Sequence, residues 1–590
     1  MPMRLYLRSL WVLTLLWGIV FVLAMVLSAL IAMLGLYPAG FKNLVIALPV
    51  IFALLIVGLQ FLISPWIMDI TISWVYNATK YQVSELPPHI REFIFTQMEE
   101  YNFSLKWVAI IHDNNPNAFT YGHTKKRARL AITEGILNYL EEDEQLAVVG
   151  HECGHIIHRD FIWMTVAAAI PLICYSFYQS LWTFARISTR EGRGSSDTAK
   201  VGAIAYAVAI GAFIAYYISH FLVLLLSRVR EYYADSFSGT LVDPGALSRA
   251  LVKIAYGMVK EDAENSQIMN DKNAAPTERK QASRRGAFTT GMRSLGIFDI
   301  SGARSLAMTS YGQGTATLDN ESIAKAAQWD LSNPWGRFLE LQSTHPLPAK
   351  RIKALNRMQE EQGRQPEFPG IGLVKLPESL WDEFLVDIFL QYVAPLLFFL
   401  LPIIGGVVAS LASLNPLIGV GTGFLVFALI WKWRRHEKYP KLRDSDPIVT
   451  VVNCLTDQTK NSYYEASPLR GKPAVFEGRV IGRGTPGYWL SEDLVIKDQT
   501  GIITLDYSPA IPIIGGLLAM FFALFRVQQL QGSMVRAYGW YHRVPMPLLQ
   551  IWKIVTEDGK VYKNRWSGLN QLFMWFCVLL GLVLLAVGFV

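Results

Sequence analysis

Long apolar runs dominate this sequence, and each is about long enough for a helix to cross the hydrocarbon core of a bilayer. They cover residues 11–36, 44–65, 161–185, 201–226, 386–412, 415–433 and 569–590. Only 17% of the residues are charged, whereas soluble globular proteins carry about 25%. The chain is therefore predicted to be a mainly α-helical, integral membrane protein. The first run follows Arg4 and Arg8, but it is too long for a signal peptide and lacks a convincing cleavage site, so a retained anchor is expected.

Basic residues beside the apolar runs predict the orientation of the chain. Arg4 and Arg8 place the N-terminal side in the cytoplasm, and two spans return the chain there near residue 66. The basic residues after the sixth run agree, namely Lys432, Arg434, Arg435 and Lys438. The predicted outer loop, residues 186–200, disagrees because its basic residues outnumber the acidic ones: Arg186, Arg190, Arg193 and Lys200 against Glu191 and Asp197. The cytoplasmic assignment is kept because both halves of the metal site described next must lie on one side. A multi-pass protein of a prokaryotic cell membrane is expected.

Residues 151–155 read His-Glu-Cys-Gly-His within a stretch whose flanks predict a helix. Positions i and i+4 of a helix share one face, so His151 and His155 can bind one metal ion. Glu152 then lies beside the ion, where it can accept a proton from bound water. Two histidine ligands with an adjacent general base are typical of zinc peptidases.

Catalytic zinc usually has three protein ligands and one open position, and three later residues are candidates for the third ligand. His158 lies about 10 Å along the helix from His151, which is too far for a shared ion, so it is predicted to be a surface histidine. His220 lies inside the fourth apolar run, where packing or hydrogen bonding is favoured over ligation. Glu231 follows that run and fits best, with Asp235 one turn later able to hydrogen-bond a ligand imidazole. The alternative is an ordinary charged helix end.

These motifs, in this order, resemble those of the HtpX-type membrane zinc metalloproteases, which are relatives of the CAAX prenyl-protein endopeptidases. The resemblance is carried by the 151–155 motif, the Asp-Glu-Gln-Leu that precedes it at 143–146, and Glu231 to Asp235 after a two-span hairpin. Residues 117–122, Asn-Ala-Phe-Thr-Tyr-Gly, resemble the edge segment of the family. Thr344-His345-Pro346, with Arg351 beyond it, resembles the motif that follows the zinc ligands. The resemblance covers roughly residues 1–357.

The resemblance implies a gluzincin-like site that holds one Zn²⁺ through His151, His155 and Glu231. It implies that Glu152 is the catalytic base and that Asp235 supports a ligand imidazole. It further implies that His345 and Arg351 hold the substrate carbonyl or the developing oxyanion. An extended substrate is expected to add as a strand beside Asn117, Ala118 and Phe119. Two alternatives stay open: residues 117–122 form only a turn, and the His-Pro pair with its later Arg only starts a helix.

The pattern changes to strands towards the C-terminal side. Residues 475–481, 501–507, 535–541 and 549–555, with a turn at 557–559, predict a small OB-like barrel. The apolar run at 511–525 is too short to span a bilayer, and it is predicted to be an interfacial insertion that lays the barrel against the membrane.

The predicted organisation is two N-terminal transmembrane helices (1–65), a cytoplasmic zinc metalloprotease domain (66–385) interrupted by a transmembrane hairpin (161–226), a second transmembrane hairpin (386–433), an OB-like β domain (434–568) and a C-terminal transmembrane helix (569–590). Residues 258–336 are polar with weak periodicity, which indicates either a mobile insertion over the site or a solvated loop. The cysteines show no pairing pattern, so no disulfide framework is expected for Cys153, Cys174, Cys454 and Cys577.

The predicted function is zinc-dependent endoproteolysis of misfolded or damaged membrane proteins, a substrate class implied by the resemblance. Protein or peptide substrates and the lipid bilayer are the expected partners, and the sequence indicates no oligomeric state. One alternative is a selective processing protease for lipidated or membrane-anchored substrates, and another is a membrane scaffold whose barrel binds a partner. OB-like barrels can bind single-stranded nucleic acid through residues of the kinds present here: Arg479, Arg483, Tyr488, Trp489, Trp540 and Tyr541. Packing of these aromatic residues at the membrane surface is favoured instead, so no nucleic acid is expected.

Overall fold

A computed structural model of the chain describes residues 44–191, 196–270, 274–279, 281–282, 320–373, 379–457, 463–483, 494–506, 530–544, 547–564 and 566–590. The predicted first span (11–36), the predicted apolar insertion (511–525), Tyr488 and Trp489 lie outside these residues.

The first described helix leads into a small sheet. Helix α1 (Leu44–Ile70) continues into a π-helical turn (Thr71–Val75). The sheet consists of β1 (Ala78–Tyr81), β2 (Leu105–Ile111), β3 (Ala118–Tyr121) and β4 (Ala128–Thr133), and helix α2 (Pro88–Tyr101) connects β1 to β2. The strand order is β1-β2-β4-β3, and β3 runs antiparallel to β4. Strand β3 has no second partner among the described strands, so it forms an edge of the sheet.

The short helix α3 (Glu134–Tyr139) precedes α4 (Glu142–Ile157), which carries the His-Glu-Cys-Gly-His motif. Helix α4 begins with a capping box between Glu141 and Glu144, and three acidic residues occupy its first turn. Both features stabilise a helix start, because they satisfy free backbone N–H groups and oppose the positive end of the helix dipole. His158 caps the C-terminal end of the helix, and Arg159 follows in the left-handed conformation with a φ of 59°.

The two longest helices follow and form a hairpin. Helix α5 covers Asp160–Glu191, and α6 (Ser196–Leu241) is a single helix of 46 residues. At 1.5 Å per residue α6 is about 69 Å long. The predicted span 201–226 is therefore only the central part of a longer helix, and the predicted loop from residue 186 is helical as far as Glu191.

Four further helices surround α4 and α6: α7 (Pro244–Asn270), α8 (Asn320–Ser332), α9 (Pro334–Glu340) and α10 (Pro348–Glu361). The interpretation of residues 258–336 as an insertion or a solvated loop is wrong for its described ends. Met258 and Val259 of α7 are buried, and Ile323 and Ala327 of α8 lie in the same hydrophobic core. The polar residues between these buried positions obscured the helical period.

Four helices in the described ranges are long and apolar enough to cross a membrane: Asp160–Thr183, Lys200–Leu241, Pro416–Lys438 and Asn570–Phe589. The second and last of these belong to α6 and to α15 (Trp566–Phe589), and Pro416–Lys438 is α13. The apolar run predicted as a span over 386–412 is not one straight helix but a bent pair. There, α11 (Trp381–Ile388) with a π-helical turn (Phe389–Val393) meets α12 (Leu397–Leu411) at an angle of 79°.

Glycine lets α12, α13 and α15 pack closely. A Cβ atom at Gly419 of α13 would lie 1.8 Å from the carbonyl oxygen of Gly405 in α12. A Cβ atom at Gly421 would lie 2.7 Å from the carbonyl oxygen of Gly581 in α15. Helix α13 is therefore in close backbone contact with both α12 and α15, as small residues allow in helix pairs within membranes.

The predicted small barrel is confirmed. After the short helix α14 (Val451–Thr456), β5 (Lys472–Arg483), β6 (Leu494–Lys497), β7 (Ile502–Asp506), β8 (Met534–His542) and β9 (Leu548–Thr556) pair in the order β5-β6-β7-β9-β8, and β8 pairs back onto β5. Strand β10 (Val561–Lys563) pairs antiparallel with β9. The assignment of Trp540 and Tyr541 to a membrane or nucleic-acid surface is wrong, because they are only 6% and 1% exposed.

The barrel shares one hydrophobic core with the helices around α4. This core includes Phe476 of β5, Val259 of α7 and Val148 of α4. A buried carboxylate adds a polar link, since Asp387 of α11 accepts hydrogen bonds from Trp335 Nε1 in α9 and from Ser467 Oγ, which precedes the barrel. The barrel is thus packed firmly beside the element that carries the metal motif.

Candidate metal centre

His151, His155 and Glu231 converge, and they are the group in the described residues that could hold a metal ion. The two Nε2 atoms of the histidines are 3.2 Å apart. Glu231 Oε2 lies 3.5 Å from His151 Nε2, and Glu231 Oε1 lies 3.6 Å from His155 Nε2. Ligand atoms 2.0–2.2 Å from a tetrahedral zinc ion are about 3.3 to 3.6 Å from one another. The spacing of the two Nε2 atoms and the Glu231 carboxylate oxygens therefore fits zinc.

The protonation of the two rings supports the same conclusion. His155 Nδ1 donates a hydrogen bond to Asp160 Oδ2 at 2.7 Å, and His151 Nδ1 lies 3.0 Å from Asp235 Oδ1. An ionised carboxylate only accepts hydrogen bonds, so the two carboxylates favour a proton on each Nδ1 and leave each Nε2 to face Glu231. The two Nε2 atoms and the Glu231 carboxylate thus form a buried set of possible ligand atoms. This donor set suits a metal such as zinc.

Small residues bring the two ligand-bearing helices together. A Cβ atom at Gly154 of α4 would lie 3.0 Å from the Cα atom of Ala234 in α6. One turn earlier, a Cβ atom at Gly150 would lie 3.3 Å from Ser238 Oγ. That hydroxyl donates a hydrogen bond to the carbonyl oxygen of Ala147 at 2.6 Å. The close crossing of α4 and α6 is what places Glu231 beside the histidine pair.

Glu152 lies beside the metal ligands in the wall of a cavity of about 730 Å³. The same cavity is lined by His155, Glu231 and His345. Glu152 is 2% exposed, so its carboxylate is sheltered from bulk water but open to whatever occupies the cavity. This is the position that a general base requires.

His345 reaches the centre from the segment between α9 and α10, and its Nδ1 atom lies 3.3 Å from Glu231 Oε2. Arg228 of α6 holds that segment, because its Nη1 group donates to the carbonyl oxygens of Glu340 and Ser343 at 2.6 and 2.8 Å. The sequence analysis did not identify Arg228. Its only signal was a basic residue one turn before Glu231, at the end of an apolar run.

Arg351 is placed differently from the prediction that it holds substrate. Its side chain is fully buried and does not line the cavity. It donates hydrogen bonds to both oxygens of Asp235, from Nε at 2.9 Å and from Nη2 at 2.6 Å. Burial alone would lower the pKa of Arg351, but the Asp235 carboxylate raises it above its ordinary value. Arg351 therefore lies behind Asp235, on the side away from His151.

Asp160 was also not identified from the sequence. The left-handed conformation of Arg159 reverses the chain between α4 and α5, so that Asp160 lies next to the ring of His155. Arg230 of α6 forms an ion pair with Asp160 and donates to the carbonyl oxygen of His158 at 2.8 Å. An acidic residue at the start of an apolar run was the only sequence signal.

The edge strand β3 lies where the resemblance implied, and the alternative of a simple turn is wrong. Asn117 and Ala118 do not line the cavity, however, because they are buried against the sheet. The backbone N–H of Asn117 donates to Thr133 Oγ1 at 2.8 Å. Phe119 does line the cavity, and the lining continues to Gly122. The part of this segment that borders the cavity therefore begins at Phe119, two residues after the start of the predicted substrate-binding segment.

The two histidines that the sequence analysis rejected do not belong to the group of His151, His155 and Glu231. His158 is half-buried rather than a surface residue, since its ring packs against Tyr233 and Phe237. Burial and the nearby Arg230 lower the pKa of His158 to about 4, so it is neutral at physiological pH. His220 is exposed and contacts the rings of Tyr216 and Phe221 within α6.

Comparisons with known proteins cover the part of the chain that holds this centre. The model of peptidase family M48 matches residues 86–359. A protease HtpX homolog from Methanothermobacter thermautotrophicus is 35% identical over 256 residues, which are 42% of this chain and 86% of the relative. HtpX homologs from Thermoplasma acidophilum and Aeropyrum pernix are each 29% identical, over 56% and 59% of this chain and 91% and 96% of their own lengths.

Proposed function

The chain belongs to peptidase family M48 as an HtpX-type member, and from this premise we propose that it is a membrane-embedded, zinc-dependent endopeptidase. The family makes it a membrane-associated metallopeptidase. The observation that carries the finer proposal is the convergence of His151, His155 and Glu231 beside Glu152 in one cavity. We assign zinc to the three ligands and general-base catalysis to Glu152.

The roles of the side chains follow from their positions. When bound, zinc lowers the pKa of water in its open position towards about 7 and polarises the substrate carbonyl. Glu152 accepts a proton from the attacking water and returns it to the leaving amine, so that no net proton is consumed. His345 donates a hydrogen bond from a ring N–H to the developing oxyanion. Asp160 and Asp235 hold the ligand rings with Nε2 directed at the ion.

Substrate binds in extended form beside β3 in this proposal. The outer edge of β3 offers backbone groups to an added strand, and Phe119 to Gly122 border the cavity. Backbone hydrogen bonds give affinity with little dependence on sequence. This suits an endopeptidase that removes misfolded or damaged membrane proteins.

We place the centre at the cytoplasmic surface of the membrane. Glu231 lies on the same helix as the apolar segment of α6, and α5 begins directly after the metal helix. The basic residues at the end of α13 also favour this side. Substrates that reside in the membrane can then reach the site without leaving the membrane.

The test combines zinc content with cleavage of casein by the purified full-length chain in detergent. Wild type is expected to contain one zinc ion per chain and to cleave casein. Glu152→Gln is expected to retain zinc and to lose cleavage by about 10²- to 10⁴-fold. Glu142→Gln is the matched control, because Glu142 lies in the first turn of the same helix with a side chain 79% exposed. Zinc-free wild type, or full activity of Glu152→Gln, would refute the proposal and favour a scaffold function.

A further inference from the structure

Building on the proposed function, we propose that the cavity beside the metal centre is a groove for an apolar segment of the substrate, directly adjoining the scissile bond. The enzyme then selects peptide bonds that border an apolar stretch, rather than any extended chain. We call the part of the cavity between α1 and α5 the apolar groove; it runs between Val57–Met68 of α1 and Phe161–Leu172 of α5.

One face of each helix forms the groove. On α5 the lining residues are at positions 161, 164, 165, 168 and 172, and on α1 they are at 57, 60, 61, 64, 65 and 68. Spacings of three and four residues place side chains on a single helix face. From Phe161 to Leu172 the groove is about 16 Å long at 1.5 Å per residue. An extended peptide of about five residues has that length.

The chemistry of the groove changes along its length. The carboxylate and imidazole side chains that line the cavity are at its metal end: Glu152, His155, Asp160, Glu231 and His345. Further along, the lining is mostly apolar, with Phe61, Met164 and Leu172 among the contributing side chains. A charged or strongly hydrated segment would lose its water there without a partner, whereas an apolar segment gains from leaving water.

Continuity with the catalytic centre identifies the occupant. The edge strand borders the same cavity through Phe119 to Gly122, so a peptide chain paired with β3 passes directly into the groove. A separate lipid chain could fill the groove but could not also continue along β3. We therefore assign the groove to the substrate itself.

The groove is held in place by polar contacts between α1 and the sheet. Tyr121 donates a hydrogen bond from its hydroxyl to Asp69 Oδ1 at 2.9 Å, and Arg129 Nη2 donates to Asp69 Oδ2 at 2.9 Å. His123 Nε2 lies 2.9 Å from the carbonyl oxygen of Leu62. These contacts fix α1 at the end of β3, so the groove exists before substrate arrives.

The experiment compares two fluorogenic peptides with the same cleavable centre, in one detergent. One carries a block of five apolar residues beside the centre, and the other carries five serines. Wild type is expected to show a kcat/KM at least tenfold higher for the apolar peptide. In Ala168→Trp, which fills the groove, this ratio is expected to fall below threefold. Ser180→Trp places the same side chain at an exposed position of α5 outside the groove, and it should retain the wild-type ratio.

A second measurement separates this proposal from the proposed function. Binding of both peptides to zinc-loaded Glu152→Gln is measured by fluorescence anisotropy, which needs no cleavage. The proposal is supported if Glu152→Gln binds the apolar peptide at least tenfold more tightly than the serine peptide, and if the Glu152→Gln, Ala168→Trp double variant loses this difference. This outcome supports the groove even if the protein shows no proteolysis. Equal affinities for the two peptides would overturn it, as would an unchanged preference in Ala168→Trp. If Ala168→Trp does not fold, Leu172→Gln replaces it with the same expectations.

Discussion

Arg351 donates hydrogen bonds to both carboxylate oxygens of Asp235, and one of those oxygens lies 3.0 Å from Nδ1 of the metal-facing His151. All three side chains are buried. Arg351 Nη1 also lies 3.6 Å from Glu231 Oε2. The charge of the guanidinium is therefore compensated by two carboxylates, and we expect Arg351 to position both Asp235 and Glu231. Breaking a buried ion pair by removing one partner leaves the other charge unpaired, which is strongly destabilising.

Arg351→Met is expected to weaken zinc binding by about 10- to 100-fold and to destabilise the chain by roughly 3–5 kcal/mol. Methionine keeps much of the side-chain volume but cannot donate to Asp235. Zinc affinity is measured by competition with a chelator, and stability by thermal unfolding. Arg357→Met is the control, since Arg357 lies on the same helix with its side chain 71% exposed. Unchanged zinc affinity in Arg351→Met would show that Asp235 orients His151 unaided.

Gly154→Ala and Gly211→Ala are expected to act in opposite directions. A Cβ atom at 154 would press on the backbone of Ala234, whereas one at 211 has nothing within 4 Å. Alanine favours a helix over glycine by about 0.8–1.0 kcal/mol, so Gly211→Ala should raise thermal stability slightly and leave zinc affinity unchanged. Gly154→Ala should separate α4 from α6 and weaken zinc binding at least fivefold. If the two variants changed zinc affinity equally, the close crossing of α4 and α6 at Gly154 would be contradicted.

Arg228→Gln is expected to lower kcat/KM by up to about 10²-fold, as small displacements of catalytic groups can. The loss should fall mainly on kcat, with zinc content unchanged, because Arg228 holds the segment that carries His345 and does not contact the ligands. Arg228→Lys, which keeps one donor group, should recover part of the rate. Arg337→Gln is the control, since Arg337 is exposed in the adjacent helix α9. Loss of zinc together with activity would indicate a general structural role instead.

Asp330→Asn is expected to change how stability depends on pH. Burial raises the pKa of Asp330 in α8 to about 7, and the opposing effect of Arg543 does not cancel this. The unfolded value is about 3.9, so between pH 4 and 7 the folded chain binds more protons and becomes less stable as pH rises. The total loss in the free energy of unfolding over this pH range is of the order of 4 kcal/mol. Between pH 5 and pH 8, the thermal unfolding temperature should therefore fall more for wild type than for Asp330→Asn. Glu321→Gln, exposed on the same helix, should behave as wild type.

Local geometry made the core of the site predictable. The i and i+4 spacing of His151 and His155 holds on any helix, and Glu231 follows a run whose apolar character requires a helix. The barrel was predictable because its strands are short and separated by turn residues. These features depend only on neighbours in the sequence.

Residues that act through distant partners could not be assigned in the same way. The role of Asp160 depends on the left-handed Arg159, and that of Arg351 on where α10 packs against α6. The aromatic pair Trp540 and Tyr541 illustrates a second limit, because alternation along a strand does not reveal which neighbouring element covers its outer side. In this chain α13 ends beside β8, and the carbonyl oxygen of Pro440 accepts a hydrogen bond from Trp540 Nε1 at 2.8 Å.

Helix α6 joins an apolar segment and two residues of the metal centre in one unbroken element of 46 residues. Each residue of a helix advances 1.5 Å and turns about 100°. A single inserted residue between the part packed on α5 and Glu231 would therefore rotate the carboxylate away from both histidines, although no residue of the centre had changed. Insertions here preserve the angular phase of the ligand only when they add nearly whole turns, so the length of this helix is as much a part of the metal centre as its side chains.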